Sequence, residues 1–158
     1  MNIRDSYREG TVRGANPVQL VIRLYEQLIE DLRQAEIATE QNKIEERTKR
    51  IKHAILVVGH LQSPLDFENG GQVANDLDQF YDRLRQSMIQ VQFYPSKPGV
   101  RQLITDVLAV REAWIEVDRL ENASPGPSPA HLTETHSATV SAFDPYAEPQ
   151  SGRMDWNG

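Results

Sequence analysis

Apolar side chains recur at steps of three and four from Val21 to Val117, with three interruptions, and that spacing predicts four amphipathic helices. The first helix begins at Asn16, a good N-cap, with Pro17 in the first helical position and Gln19 three residues after the cap, as a capping box requires. Its stripe is Val21, Leu24, Tyr25, Leu28, Leu32 and Ala35; Leu20, Ile22 and Ile29 lie off that line and widen it. Asn42 marks its stop. The second helix covers about Ile44 to Gln62, with Ile51, Ala54, Ile55, Val58 and Leu61 on one face and Leu65 beyond. It also contains Ile55-Leu56-Val57-Val58, four apolar residues in a row that point all round a helix turning about 100° per residue. Either this helix is buried on every side, or part of it faces a partner.

The stretch Ser63 to Leu84 organises the rest. Pro64 fits poorly inside a helix, and Asn69-Gly70-Gly71 tolerates positive φ, so a tight connection is predicted between two long antiparallel helices. Helical spacing resumes after the glycines with Val73, Leu77, Phe80, Tyr81, Leu84 and Met88, and the third helix ends near Gln92. The flanks of Asn69-Gly70 lack the alternation a hairpin strand needs. Phe93 to Gly99, with two prolines and a glycine, is a break. The fourth helix carries Val100, Leu103, Val107, Val110, Trp114 and Val117, the seam of an antiparallel bundle, with Ile104, Leu108 and Ile115 beside it. Such extra rows widen the core face and leave room for an outer groove.

Both ends differ from this middle. Residues 1–15 have little regular pattern, with Ile3, Tyr7 and Val12 as the only sizeable apolar groups; they read as a loose terminus or as a segment that docks. After Ala123, Ser124-Pro125-Gly126-Pro127-Ser128-Pro129 breaks the helix, and five of the nine prolines fall beyond that point, so a disordered tail is expected. Phe143, Tyr146 and Trp156 stand isolated in it. The expected organisation is therefore an N-terminal segment over 1–15, an all-α antiparallel four-helix bundle over 16–122 and a tail over 123–158.

Charge and composition narrow the function. A net charge of −6 argues against a nucleic-acid or anionic-membrane surface. Cysteine is absent, which removes disulfides, thiolate zinc sites and cysteine nucleophiles together. No apolar run approaches the roughly 20 residues of a membrane span, and the first residues show no secretory signal, so a cytoplasmic protein without membrane insertion is expected.

The same residues carry no catalytic pattern. A di-iron bundle needs Glu-x-x-His, and none of the thirteen glutamates has a histidine three residues on. His53 and His60 share a face but lie two turns apart, about 10 Å at 1.5 Å per residue, too far for one metal. Gly70-Gly71 lacks the Gly-Lys-Ser/Thr sequel of a phosphate loop. Asp76, Asp78 and Asp82 read as a solvated acidic face, and Arg47, Lys49, Arg50 and Lys52 as a solvated basic one set against it. No enzyme, metal or cofactor is expected.

The wording of the central stretch is specific. Leu65-Asp66-Phe67-Glu68-Asn69-Gly70-Gly71-Gln72-Val73-Ala74-Asn75-Asp76-Leu77, followed by Phe80-Tyr81-Asp82, resembles the flagellin export chaperone family (FliS), whose pattern there is close to S-L-D-x-E-x-G-G-x-x-A-x-N-L-x-x-L-Y-D. Tyr7 with Val12, then Ala15-Asn16-Pro17-Val18-Gln19-Leu20, is similar to the family's opening Y-x-x-x-x-V-x-T-A-S-P-x-Q-L, and Leu24-Tyr25-Glu26, Ile51-Lys52-His53-Ala54 and Arg111-Glu112-Ala113-Trp114 follow in order. Departures include Gly14 and Asn16 for the usual Thr and Ser, Pro64 within S-L-D, and the long tail.

The resemblance implies a four-helix chaperone of the flagellar type III secretion system, which binds the disordered C-terminal segment of flagellin, prevents premature polymerisation and assists export. It further implies that the N-terminal segment covers part of the groove when flagellin is absent and docks at the export gate (FlhA) when it is present. By position that role falls on Tyr7, with Ile3 and Val12 as neighbours. Flagellin contacts are expected at Ile22, Ile29, Leu56, Val57, Leu65, Phe67, Gly70, Gly71, Val73, Asn75, Leu77 and Tyr81, whereas Tyr25, Phe80, Leu103 and Trp114 are expected in the core. The alternative is an adaptor or regulator on the same bundle that binds another secreted or signalling protein. A homodimer is left open.

Overall fold

A computed structural model describes residues 3–7 and 16–123. The expected tail apart from Ala123, with its three aromatic residues, and Val12 lie outside the described residues. The described part is all-α: a short 3-10 turn over Ile3–Ser6, then α1 (Pro17–Glu40), α2 (Ile44–Gln62), α3 (Phe67–Phe93) and α4 (Lys97–Ala123). Each helix packs on its neighbours in the order α1, α2, α3, α4 and back to α1. Polar pairs along the α1–α4 seam prove the sense. Asn16 meets Asp118 at 3.4 Å, Glu26 meets Arg111 at 2.8 Å, Glu36 meets Arg101 at 2.5 Å and Glu40 meets Lys97, so one number climbs as the other falls. Helices related this way run antiparallel.

The helix ends follow local chemistry. The Asn16 side chain accepts from the Val18 N–H, and Pro17 occupies the first helical position. Asn42, at φ 54°, turns the chain after α1, the left-handed geometry that asparagine tolerates better than most residues. The start of α3 differs from expectation. Asp66 caps a helical turn before the glycines, its carboxylate accepting from the N–H groups of Glu68 and Asn69. Gly71 then breaks the helix from within, at φ 49° and ψ −126°, a backbone closed to side-chain-bearing residues without strain. The fourth helix also starts earlier than the prolines suggest, because Pro98 needs no N–H in a first turn and the Ser96 hydroxyl accepts from the Gly99 N–H.

Tyr25, Leu28 and Leu32 from α1, Ile51, Val58 and Leu61 from α2, Tyr81 and Met88 from α3, and Val100, Val107 and Trp114 from α4 fill the core. A fully buried aliphatic side chain of this kind stabilises by about 1.5–3 kcal/mol. The second helix is not buried all round: Val57 and Val58 face inward, but Leu56 is 57% exposed. The charged faces also differ from expectation. Arg47 is buried, and Arg50 turns to α1, 3.6 Å from the fully buried Asp31, which also takes a 2.5 Å contact from the His53 ring. On α3, Asp78 and Asp82 both accept from the Gln62 side chain rather than facing the basic run.

Candidate functional site

The segment Ile3–Tyr7 packs against α3 and α4. Two backbone features seat it. The Asp66 N–H donates to the Ser6 carbonyl at 2.7 Å, and Tyr7 forms an isolated antiparallel bridge with Leu65. The connection between α2 and α3 thus holds the N-terminal segment through its backbone, and the Ser6 carbonyl takes a donor at the start of α3. Gly70 makes the close approach possible: a Cβ there would stand 2.5 Å from the Ser6 Cα and 3.1 Å from the Asp5 carbonyl oxygen. Arg4 adds an ion pair with Glu121 on α4 at 3.3 Å.

Tyr7 is the anchor. Its ring stands edge-on to Trp114, centroids 5.3 Å apart at 65°, a favourable aromatic geometry. Its hydroxyl lies 2.6 Å from that of Tyr81, which lies 2.6 Å from that of Tyr25. Two helices, α1 and α3, and the N-terminal segment therefore meet at one chain of hydroxyls, with Tyr81 in the middle, while Trp114 of α4 backs the Tyr7 ring. Burial pushes the Tyr7 hydroxyl well above the ordinary tyrosine value of 10.0, reinforced by the neighbouring Tyr25 and partly offset by the bond with Tyr81. Tyr81 and Tyr25 are raised mainly by burial as well, so all three stay neutral at physiological pH. The buried indole N–H of Trp114 lies beside the Tyr25 hydroxyl and offsets a little of the rise that burial gives it.

The expected contact residues divide into three sets. Leu65, Gly70 and Tyr81 line the seat of the N-terminal segment and are buried. Ile29, Val57 and Leu77 are buried in the core, while Ile22 and Val73 are half-buried against it. Leu56, at 57%, and Phe67, at 47%, are exposed. Asn75 is exposed too; its side-chain amide donates to the Gly71 carbonyl at 2.9 Å and braces the break in α3. Gly71 is that break. Ile3 is half-buried beside Tyr7.

Two features escaped the sequence reading. Tyr25 and Trp114 are core residues, as expected, yet they also complete the Tyr7 seat; only their aromatic character, shared with Tyr7, could have pointed there. At the opposite end of the bundle Ile89, Phe93 and Tyr94 are exposed, the last two at 75% and 77%. Among the described residues no His, Asp and Glu side chains gather in a way that could hold a metal ion, and no helix is long and apolar enough to cross a membrane.

Residues 1–121 match the profile of a family described as "Flagellar protein FliS". A flagellar secretion chaperone, FliSB, from Pseudomonas aeruginosa is 30% identical over 106 residues, 67% of this chain and 84% of that protein. The flagellar secretion chaperone FliS of Campylobacter jejuni is 26% identical over 120 residues, 76% of this chain and 94% of that protein. That of Vibrio cholerae is 27% identical over 109 residues, covering 69% and 80%.

Proposed function

The chain belongs to the FliS family of flagellar secretion chaperones, and we propose that its bundle binds the disordered C-terminal segment of flagellin in the cytoplasm before export. The reading rests above all on the seat of Tyr7. An aromatic side chain fills a slot in the bundle, yet it is carried by a single 3-10 turn that belongs to none of the four helices. A short turn of this kind can leave without unfolding any of the four helices, and local opening of such elements costs less than global unfolding. Once it leaves, the slot between α3 and α4 opens onto Tyr81 and Leu65, and Leu56 on α2 and Phe67 on α3 offer further exposed apolar contacts. A disordered amphipathic segment folding into such grooves spends several kcal/mol on ordering, so it needs this length of contact.

Residues 16–122 act as the chaperone domain in this reading. Residues 1–15 cover the slot until flagellin arrives, and Tyr7 with Ile3 then becomes available to the export gate, FlhA. Titration of the full chain with a synthetic flagellin C-terminal segment tests the assignment. Saturable binding, with the segment gaining helix by circular dichroism, is the expected result. No binding to flagellin, with capture of a different secreted protein encoded nearby, would replace it by the adaptor reading.

A further inference from the structure

We propose that the slot held by Tyr7 is selective for a partner side chain that has an aromatic or apolar body and a hydroxyl or amide tip. The inference rests on the reading that flagellin displaces the N-terminal segment, and it names what the incoming chain must present there.

The argument starts from what Tyr7 satisfies. Its ring supplies the edge-on contact to Trp114, and its hydroxyl supplies the second partner of the Tyr81 hydroxyl. Tyr81 is wholly buried, so water does not reach its hydroxyl while the slot is filled. An apolar side chain in place of Tyr7 would leave the Tyr81 hydroxyl with Tyr25 alone. A tip that can hydrogen-bond restores the second partner of the Tyr81 hydroxyl, whereas leaving a buried polar group underpaired is costly. Tyrosine, glutamine and asparagine tips meet the requirement; leucine and valine do not. Tyr7 is thus the chain's own example of the side chain the slot selects.

Small molecules test the slot without flagellin. In the full chain carrying Tyr7→Ala, p-cresol, the tyrosine side chain itself, is expected to bind more tightly than toluene, measured by ligand-detected NMR. Adding Tyr81→Phe should erase that preference. Equal or tighter binding of toluene, or no binding of either, would overturn the proposal.

A second arm uses flagellin and decides the matter alone if Tyr7→Ala does not fold. In the Tyr7→Phe background the closed state has no bond between Tyr7 and Tyr81 to lose, so adding Tyr81→Phe reports only the partner's tip. The flagellin C-terminal segment is expected to bind the double variant about fivefold more weakly than Tyr7→Phe, the worth of one ordinary hydrogen bond. Unchanged or tighter binding would overturn the polar-tip requirement while leaving flagellin binding intact. If the wild-type chain binds no flagellin at all, the function reading fails, and the p-cresol comparison alone decides what the slot selects.

Discussion

The hydroxyl of Tyr7 lies 2.6 Å from the hydroxyl of Tyr81, a residue 74 positions further along the chain. This contact ties the N-terminal segment to the middle of the bundle, and because Tyr81 also meets Tyr25 it makes three buried phenols interdependent.

Stability should fall in alkali for that reason. All three phenols are raised above the ordinary value in the folded protein, chiefly by burial. The unfolded chain therefore releases their protons first as pH rises, and the folded chain holds more protons. Stability is full below about pH 10 and is lost above it, by about 1.4 kcal/mol per pH unit for each buried tyrosine. Urea midpoints measured on either side of pH 10 check this, and Tyr7→Phe should make the decline shallower by one tyrosine's share. A stability curve flat through alkali would show that the phenols are not buried.

Gly70→Ala should loosen the N-terminal segment. The added Cβ would meet the Ser6 Cα at 2.5 Å and the Ala74 Cβ at 2.8 Å, and backbone does not yield as a side-chain tip does. Helix propensity pulls the other way, since alanine is favoured over glycine by about 1 kcal/mol. Overpacking wins, and a net loss of about 1–3 kcal/mol is expected in denaturant unfolding. Equal or higher stability would mean that Ser6 does not rest on Gly70.

Leu56→Asp separates surface from core. Leu56 is 57% exposed on α2, so the substitution should leave helical circular dichroism near normal. Binding of the flagellin segment should weaken about tenfold, because a charge would enter an apolar contact. Loss of helix instead would place Leu56 in the core.

Much of this architecture was legible in the chain. Asn16-Pro17 and Asn42 carry their own turn chemistry, and steps of three and four mark which faces of α1 and α4 turn inward. The glycines of Asn69-Gly70-Gly71 do interrupt the helix, at Gly71, but the turn that Asp66 caps ahead of them leaves no mark in the apolar spacing. Periodicity also failed at Ile55-Leu56-Val57-Val58, where a continuous apolar run conceals which member faces solvent; only the packing shows that Val57 points in and Leu56 out. Buried charge was the hardest to foresee. Asp31 and Arg47 look like any other charged helix residues until the fold encloses them. The Tyr7 seat joins four distant stretches, and no local pattern announces such a meeting.

The exchange of Tyr7 for flagellin is most directly tested by 19F NMR on the full chain with 3-fluorotyrosine at position 7. As the flagellin C-terminal segment is added, the resonance should move from a buried to a solvent-exposed position and stop at one equivalent. A segment that binds tightly while Tyr7 keeps its buried resonance would contradict the account.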